Sequence, residues 1–202
     1  MGRPEKPVNG PHHRAAMAFK LRAIRDLAEV TYDDMVPFGQ ASAATYKRTA
    51  SGTNVPRLLR VMEFVDVCHL AAPPAALDRL RLESRPRDLY TLWANARMEE
   101  RGTLRLHAPR ARLIANWAEC SLALKTLYER AGAPPLRDVQ ELAGGAMHLP
   151  LSTLARIVNR QALPNNKQQL RAFLLGCRLR KEQLPEWDEA WTRLVGGRTV
   201  PM

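Results

Sequence analysis

Helix-stopping residues punctuate this sequence at short intervals, and that punctuation constrains its fold more than any other feature. Ser51-Gly52, Pro73-Pro74, Pro86, Gly102, Pro134-Pro135, Gly144-Gly145, Pro164 and Gly196-Gly197 divide the chain into short segments. None of these segments shows sustained alternation of apolar and polar residues, so a half-buried strand has nowhere to sit. Val and Ile together number 14 while Leu and Ala dominate, which favours helices. The pattern predicts helices over 15–28, 32–38, 42–50, 57–69, 75–83, 87–101, 110–131, 136–143, 151–160, 167–179 and 186–195. The expected fold class is all-α.

A chain of 202 residues with 46% apolar content can bury a real core, as one domain or two small ones. No run of about 18 apolar residues crosses a membrane, and the start, Met1-Gly2-Arg3-Pro4-Glu5-Lys6, has no apolar stretch behind it. Cys68, Cys120 and Cys177 form a sparse, odd set without CxxC spacing, which argues for a reducing cytoplasm and against a zinc ribbon. Cys68 and Cys177 close equivalent apolar helices and read as small core residues. His12, His13, His69, His107 and His148 show no metal-ligand spacing. No nucleophile elbow, Walker or dinucleotide fingerprint occurs, so neither an enzyme nor a bound cofactor or metal is expected.

Charge gives the positive clue. Thirty-one basic residues face twenty acidic ones for a net +11, and 25 of the 31 are Arg, the side chain suited to bidentate phosphate and guanine contacts. The spread matters more than the sum. From Met35 to Met62 there is no acid, against Lys47, Arg48, Arg57 and Arg60. From Leu142 to Lys181 there is again none, against Arg156, Arg160, Lys167, Arg171, Arg178, Arg180 and Lys181. Two acid-free basic windows are the footprint of two anion-binding surfaces.

The same two windows carry a weak internal repeat. Residues 42–56 laid over 150–164 share Thr, Arg and Pro, and an apolar residue precedes each Pro. Each Pro then leads into an apolar helix ending in Cys, and each copy follows one long and one short amphipathic helix. A short helix, a turn and a second short helix with a polar outward face is the helix-turn-helix layout. In the first copy Thr31 and Asp34 read as a capping pair, Gly39 supplies the turn, and Ser42 caps the next helix. On that helix Tyr46 and Ala50 are expected inside, Thr45 and Arg48 outside. In the second copy Leu154, Ile157 and Val158 are expected inside, with Ser152, Thr153, Arg156, Asn159 and Arg160 outside.

With Gly2-Arg3-Pro4-Glu5-Lys6-Pro7, Phe19-Lys20-Leu21-Arg22-Ala23-Ile24-Arg25 and Ala44-Thr45-Tyr46-Lys47-Arg48-Thr49-Ala50-Ser51-Gly52, the chain resembles the Xre/lambda-repressor-like helix-turn-helix family. Leu149-Pro150-Leu151-Ser152-Thr153-Leu154-Ala155-Arg156, followed by Ala162-Leu163-Pro164, is similar to the same pattern again. The resemblance covers residues 1–70 and 120–195. It departs at Ala44, where the family has Ser, at Arg160, where the family has Gly, and in the longer turn from Gly144 to Pro150.

The resemblance implies two modules, 15–72 and 118–202, joined by a helical middle over 73–117 and preceded by a flexible basic arm over 1–14. It implies sequence-specific binding of double-stranded DNA by a transcriptional regulator, with recognition helices in the major groove. The expected DNA-contacting residues are Arg3, Thr45, Lys47, Arg48, Asn54, Arg57, Ser152, Thr153, Arg156, Asn159, Arg160, Asn166 and Lys167. Of these, Asn54, Arg57, Asn166 and Lys167 are expected on phosphates, and the denser window favours the second module as reader. A homodimer or partner protein is expected at Leu89, Leu92, Trp93 and Ala96 in the middle segment. Trp187 and Trp191, one turn apart, are expected to anchor a core or a subunit interface. The alternatives are a protein-interaction scaffold controlling another regulator and a DNA maintenance or replication accessory. The expected location is the cytoplasm, at the nucleoid, without a membrane partner.

Overall fold

Eleven α-helices and four 3₁₀ turns, without a strand among the described residues, make up the computed structural model, which describes residues 5–8 and 10–196. None of these helices is long and apolar enough to cross a membrane. The chain divides between Leu104 and Arg105 into two compact units.

The first unit holds α1 (His12–Leu27), α2 (Tyr32–Met35), α3 (Ala43–Thr49), α4 (Leu58–Ala71), α5 (Leu77–Glu83) and α6 (Pro86–Glu100). Met17, Leu21 and Ile24 recur at helical spacing along α1 and form one side of the core; Val61, Phe64, Val65 and Cys68 of α4 form another. Tyr46 of α3 packs its ring edge-on to Phe64 at 6.0 Å. The capping pair is present: Thr31 accepts the Asp34 amide, and the Asp34 carboxylate accepts the Thr31 amide at 2.8 Å. Ser42 caps α3 through the Thr45 amide. Gly39 has extended backbone, so its freedom at positive φ is not what the turn uses. A Cβ there would lie 1.8 Å from the Tyr46 hydroxyl and 2.8 Å from Val67 Cγ2, so the close approach of α3 and α4 demands glycine.

The middle segment is not a linker. α6 runs along α1, with α5 also against it, so both helices belong to the first unit. The face expected to meet a partner is inside: Leu89, Trp93 and Ala96 are at most 5% exposed and Leu92 is half-buried. The physical reason is that the apolar stripe of α6 covers α1, which four helices alone would leave open. Two polar contacts fix α6 in place. Trp93 Nε1 donates to the Pro56 carbonyl at 2.9 Å, and the Glu99 carboxylate accepts the His13 and Arg14 amides at 3.1 and 3.0 Å. Pro11 offers α1 no side-chain cap, so Glu99 supplies it from the far end of the unit.

The flexible arm is also corrected in part. α1 begins at His12, and Glu5 is held by Tyr32 Oη at 2.6 Å and by Arg25 at 2.8 Å. Arg3 lies outside the described residues.

The second unit holds α7 (Trp117–Arg130), α8 (Leu136–Leu142), α9 (Leu151–Val158), α10 (Lys167–Gly176) and α11 (Leu184–Gly196). Its first helix is shorter than the 110–131 expected. Asn116 caps α7 through the Glu119 amide at 2.9 Å, and Glu119 accepts the Ala115 amide at 2.8 Å, which ends the preceding chain as a 3₁₀ turn over Ala111–Leu113. Trp187 and Trp191 are buried in the core, and Trp117 meets Trp191 edge-on at 5.2 Å. All three cysteines are buried and free. α8 and α10 approach so closely that a Cβ on Gly176 would lie 2.5 Å from the Val139 carbonyl.

Candidate nucleic-acid interface

α9 sorts its side chains as the period of a helix requires. Leu154 and Ile157 are fully buried and Val158 nearly so; Ser152, Arg156, Asn159 and Arg160 are exposed, and Thr153 is half-buried. Among the described residues neither Arg156 nor Arg160 has a carboxylate partner, so both guanidinium groups are available. Arg160 carries positive φ (60°), the conformation Gly52 adopts after α3 (76°). Arg160 therefore keeps the left-handed backbone that Gly52 has at the matching place after α3. The Gly144–Pro150 connection is an ordered turn: Gly145 donates to Gln140, His148 and Leu149 donate back to Gly145, and Gln140 Nε2 donates to the Leu149 carbonyl.

α3 presents a narrower face. Tyr46 and Ala50 are fully buried, while Lys47 and Arg48 are exposed. Thr45 is half-buried, with its hydroxyl 3.1 Å from Ser42 Oγ, so it sits beside the cap rather than in the middle of the outward face. That face is instead the line of Ala44, Lys47, Arg48 and Ser51, which forms one wall of a groove with Glu5, Lys6 and Arg22 opposite. Sequence reasoning named Lys47 and Arg48 but missed Lys6, Arg22 and Ser51, because their juxtaposition joins segments some forty residues apart that no periodicity connects.

The helix following each face begins differently. Asn54 and Arg57 are exposed in the first unit, on the loop that Trp93 anchors at Pro56. In the second, Asn166 and Lys167 are exposed, but Asn166 Oδ1 caps α10 through the Gln169 amide at 2.8 Å. Lys167 Nζ lies 3.8 Å from Asp188, which Arg171 also grips with two nitrogens. The Arg171 guanidinium, with Lys167 adding to it, holds the Asp188 carboxyl below the usual range. A phosphate at Lys167 would meet a cation already partly neutralised.

No cluster of metal ligands exists among the described residues. Burial pushes the thiols of Cys68 and Cys120 up to about 12 and about 11, which leaves them unreactive near neutral pH. Comparison with protein-family models, with curated proteins and with solved structures finds no match to the chain.

Proposed function

We propose that the protein binds double-stranded DNA sequence-specifically, with α8 and α9 of the second unit acting as a helix-turn-helix and α9 entering the major groove. One observation carries this reading: α9 buries its apolar side and turns outward a polar set in which Arg156 and Arg160 have no carboxylate partner among the described residues. Arg reads guanine edges and Asn reads adenine, while hydroxyls serve either base or phosphate. The acid-free stretch from Leu142 to Lys181 supports it electrostatically. α2 and α3 of the first unit, with the same order of helices, form the second such element. DNA binding of this kind fits a transcriptional regulator.

The test begins with selection of a preferred duplex from a random pool by the full chain. Arg156→Ala should then cost about 1–3 kcal/mol on the selected site and much less on a scrambled duplex. Arg48→Ala asks whether α3 touches the DNA at all: it should weaken both duplexes about equally. If both substitutions leave affinity and site preference untouched, the reading fails and a protein-interaction scaffold replaces it.

A further inference from the structure

The groove beside α3 has two walls from distant parts of the sequence. Lys6 stands on one; Lys47, Arg48 and Ser51 stand on the other. Arg22 of α1 joins them, donating from Nη1 to the Lys6 carbonyl at 2.8 Å and from Nε to the Ala50 carbonyl at 2.9 Å. Lys6, Lys47 and Arg48 have no carboxylate partner among the described residues, so three free cations face one groove. The one acid there is committed elsewhere. Glu5 accepts from Tyr32 Oη and Arg25 Nη1 and lies 3.2 Å from Arg22 Nε, while the Arg25 guanidinium stacks 4.4 Å over the Tyr32 ring. This polar knot fixes the backbone of residue 5 and with it the place of Lys6.

We infer that this groove seats a backbone phosphate of duplex DNA, gripped by Lys6 from one wall and by Lys47 and Arg48 from the other, with Glu5 as the positioning residue. The inference rests on the DNA-binding reading and adds to it a contact that the sequence did not nominate. Charge explains the ligand class: three cations lining one groove without carboxylate partners take a phosphodiester, and a contact of this kind fixes register without reading bases. Glu5 supplies the sharpest feature of the argument. An acid near a basic groove should oppose an anion by simple Coulomb repulsion. An acid whose role is to hold Lys6 in place should favour it.

The experiment therefore reads a sign. Titrations of the full chain against the selected duplex and its scrambled counterpart at several salt concentrations give affinity and salt slope. Lys6→Ala should weaken both duplexes about equally and lower the salt slope by about one. Glu5→Gln should weaken binding in the same uniform way and add nothing in the Lys6→Ala background. Tyr32→Phe, which removes one clamp without changing charge at the groove, should move binding in the same direction by less, and its circular dichroism should match the parent. Tighter binding by Glu5→Gln overturns the positioning role. A silent Lys6→Ala, while Arg156→Ala still abolishes site preference, overturns the seat and leaves the DNA reading standing. If Arg156→Ala and Arg48→Ala are silent too, the reading itself has failed and the seat falls with it. Inorganic phosphate at constant ionic strength separates the two sources of the anion. Competition with the duplex in the parent but not in Lys6→Ala would assign the groove to free phosphate and overturn the assignment to DNA.

Discussion

Each unit opens on one long helix followed by two short ones, α1–α3 and α7–α9, and the two distribute their charge differently. Residues 1–104 carry 16 basic and 12 acidic side chains, residues 105–202 carry 15 and 8. In the first unit Asp33 and Asp34 stand exposed at the start of α2, and Glu5 lies beside α3. In the second, the first turn of α8 carries one exposed acid, Asp138, next to Arg137, and α9 turns an acid-free face outward. The scaffolding differs as well: α5 and α6 cover α1, whereas in the second unit α11 packs on α10 and on the 3₁₀ turn ahead of α7. One order of helices can thus present a short polar helix either bare or flanked by a second strip of chain. The difference lies in what surrounds the helix, not in the helix.

The largest test of this comparison strikes one glycine in each unit. Gly176→Ala puts a carbon against the Val139 carbonyl, and Gly39→Ala puts one against the buried Tyr46 hydroxyl. Each should destabilise its own unit by about 1–3 kcal/mol through overpacking. The buried thiols report where: labelling of Cys68 should accelerate in Gly39→Ala, and labelling of Cys120 and Cys177 in Gly176→Ala. Equal acceleration of all three by either substitution would break the picture of two separate cores.

A smaller effect comes from acid. Burial raises the Glu5 carboxyl, but hydrogen bonds from Tyr32 and Arg25 outweigh it and leave the net shift downward; Arg171 lowers Asp188. In both cases the unfolded chain takes up the proton first. The stabilisation is therefore present in full at neutral pH and is lost as pH falls below about 4, the ordinary carboxylate range. Asp188→Asn should flatten that fall in the second unit alone and Glu5→Gln in the first alone, as followed by the melting transition of each unit between pH 7 and pH 3.

The smallest effect lies in α7. Thr126 Oγ1 is buried without a hydrogen-bond partner among the described residues, so Thr126→Val should be neutral or should stabilise the second unit by up to about 1 kcal/mol. A loss of more than that in urea denaturation would mean that the hydroxyl is satisfied after all.

Much of the fold was legible in local chemistry. Ser42 and the Thr31–Asp34 pair stop and start helices by hydrogen bonds within four residues, and the inward sets of α3 and α9 follow from spacing alone. The break before α7 was missed, although Asn116 caps that helix through the Glu119 amide and Glu119 accepts the Ala115 amide just ahead of it. The rest of what escaped was tertiary. An apolar stripe says that α6 covers something but not whether α1 or another chain lies beneath it. Lys167 reads as a free cation until Asp188, on another helix, comes within reach. The groove beside α3 needs Arg22 to join two distant segments, and spacing along the chain is blind to that.

Glu99 closes the first turn of α1 from 86 residues downstream of His13, and this fixes a timetable. During synthesis at about 5–20 residues per second, roughly 4–17 s separate the appearance of that helix from the appearance of its cap. Throughout this interval Leu21 and Ile24 have no α6 beside them, and a nascent chain ending after α4 carries an open hydrophobic seam. α7, by contrast, carries Asn116 and Glu119 at its own start and is capped as it emerges. The helix made first is therefore among the last to be finished, and a ribosome that stalls between α4 and α6 leaves a chain suited to chaperones.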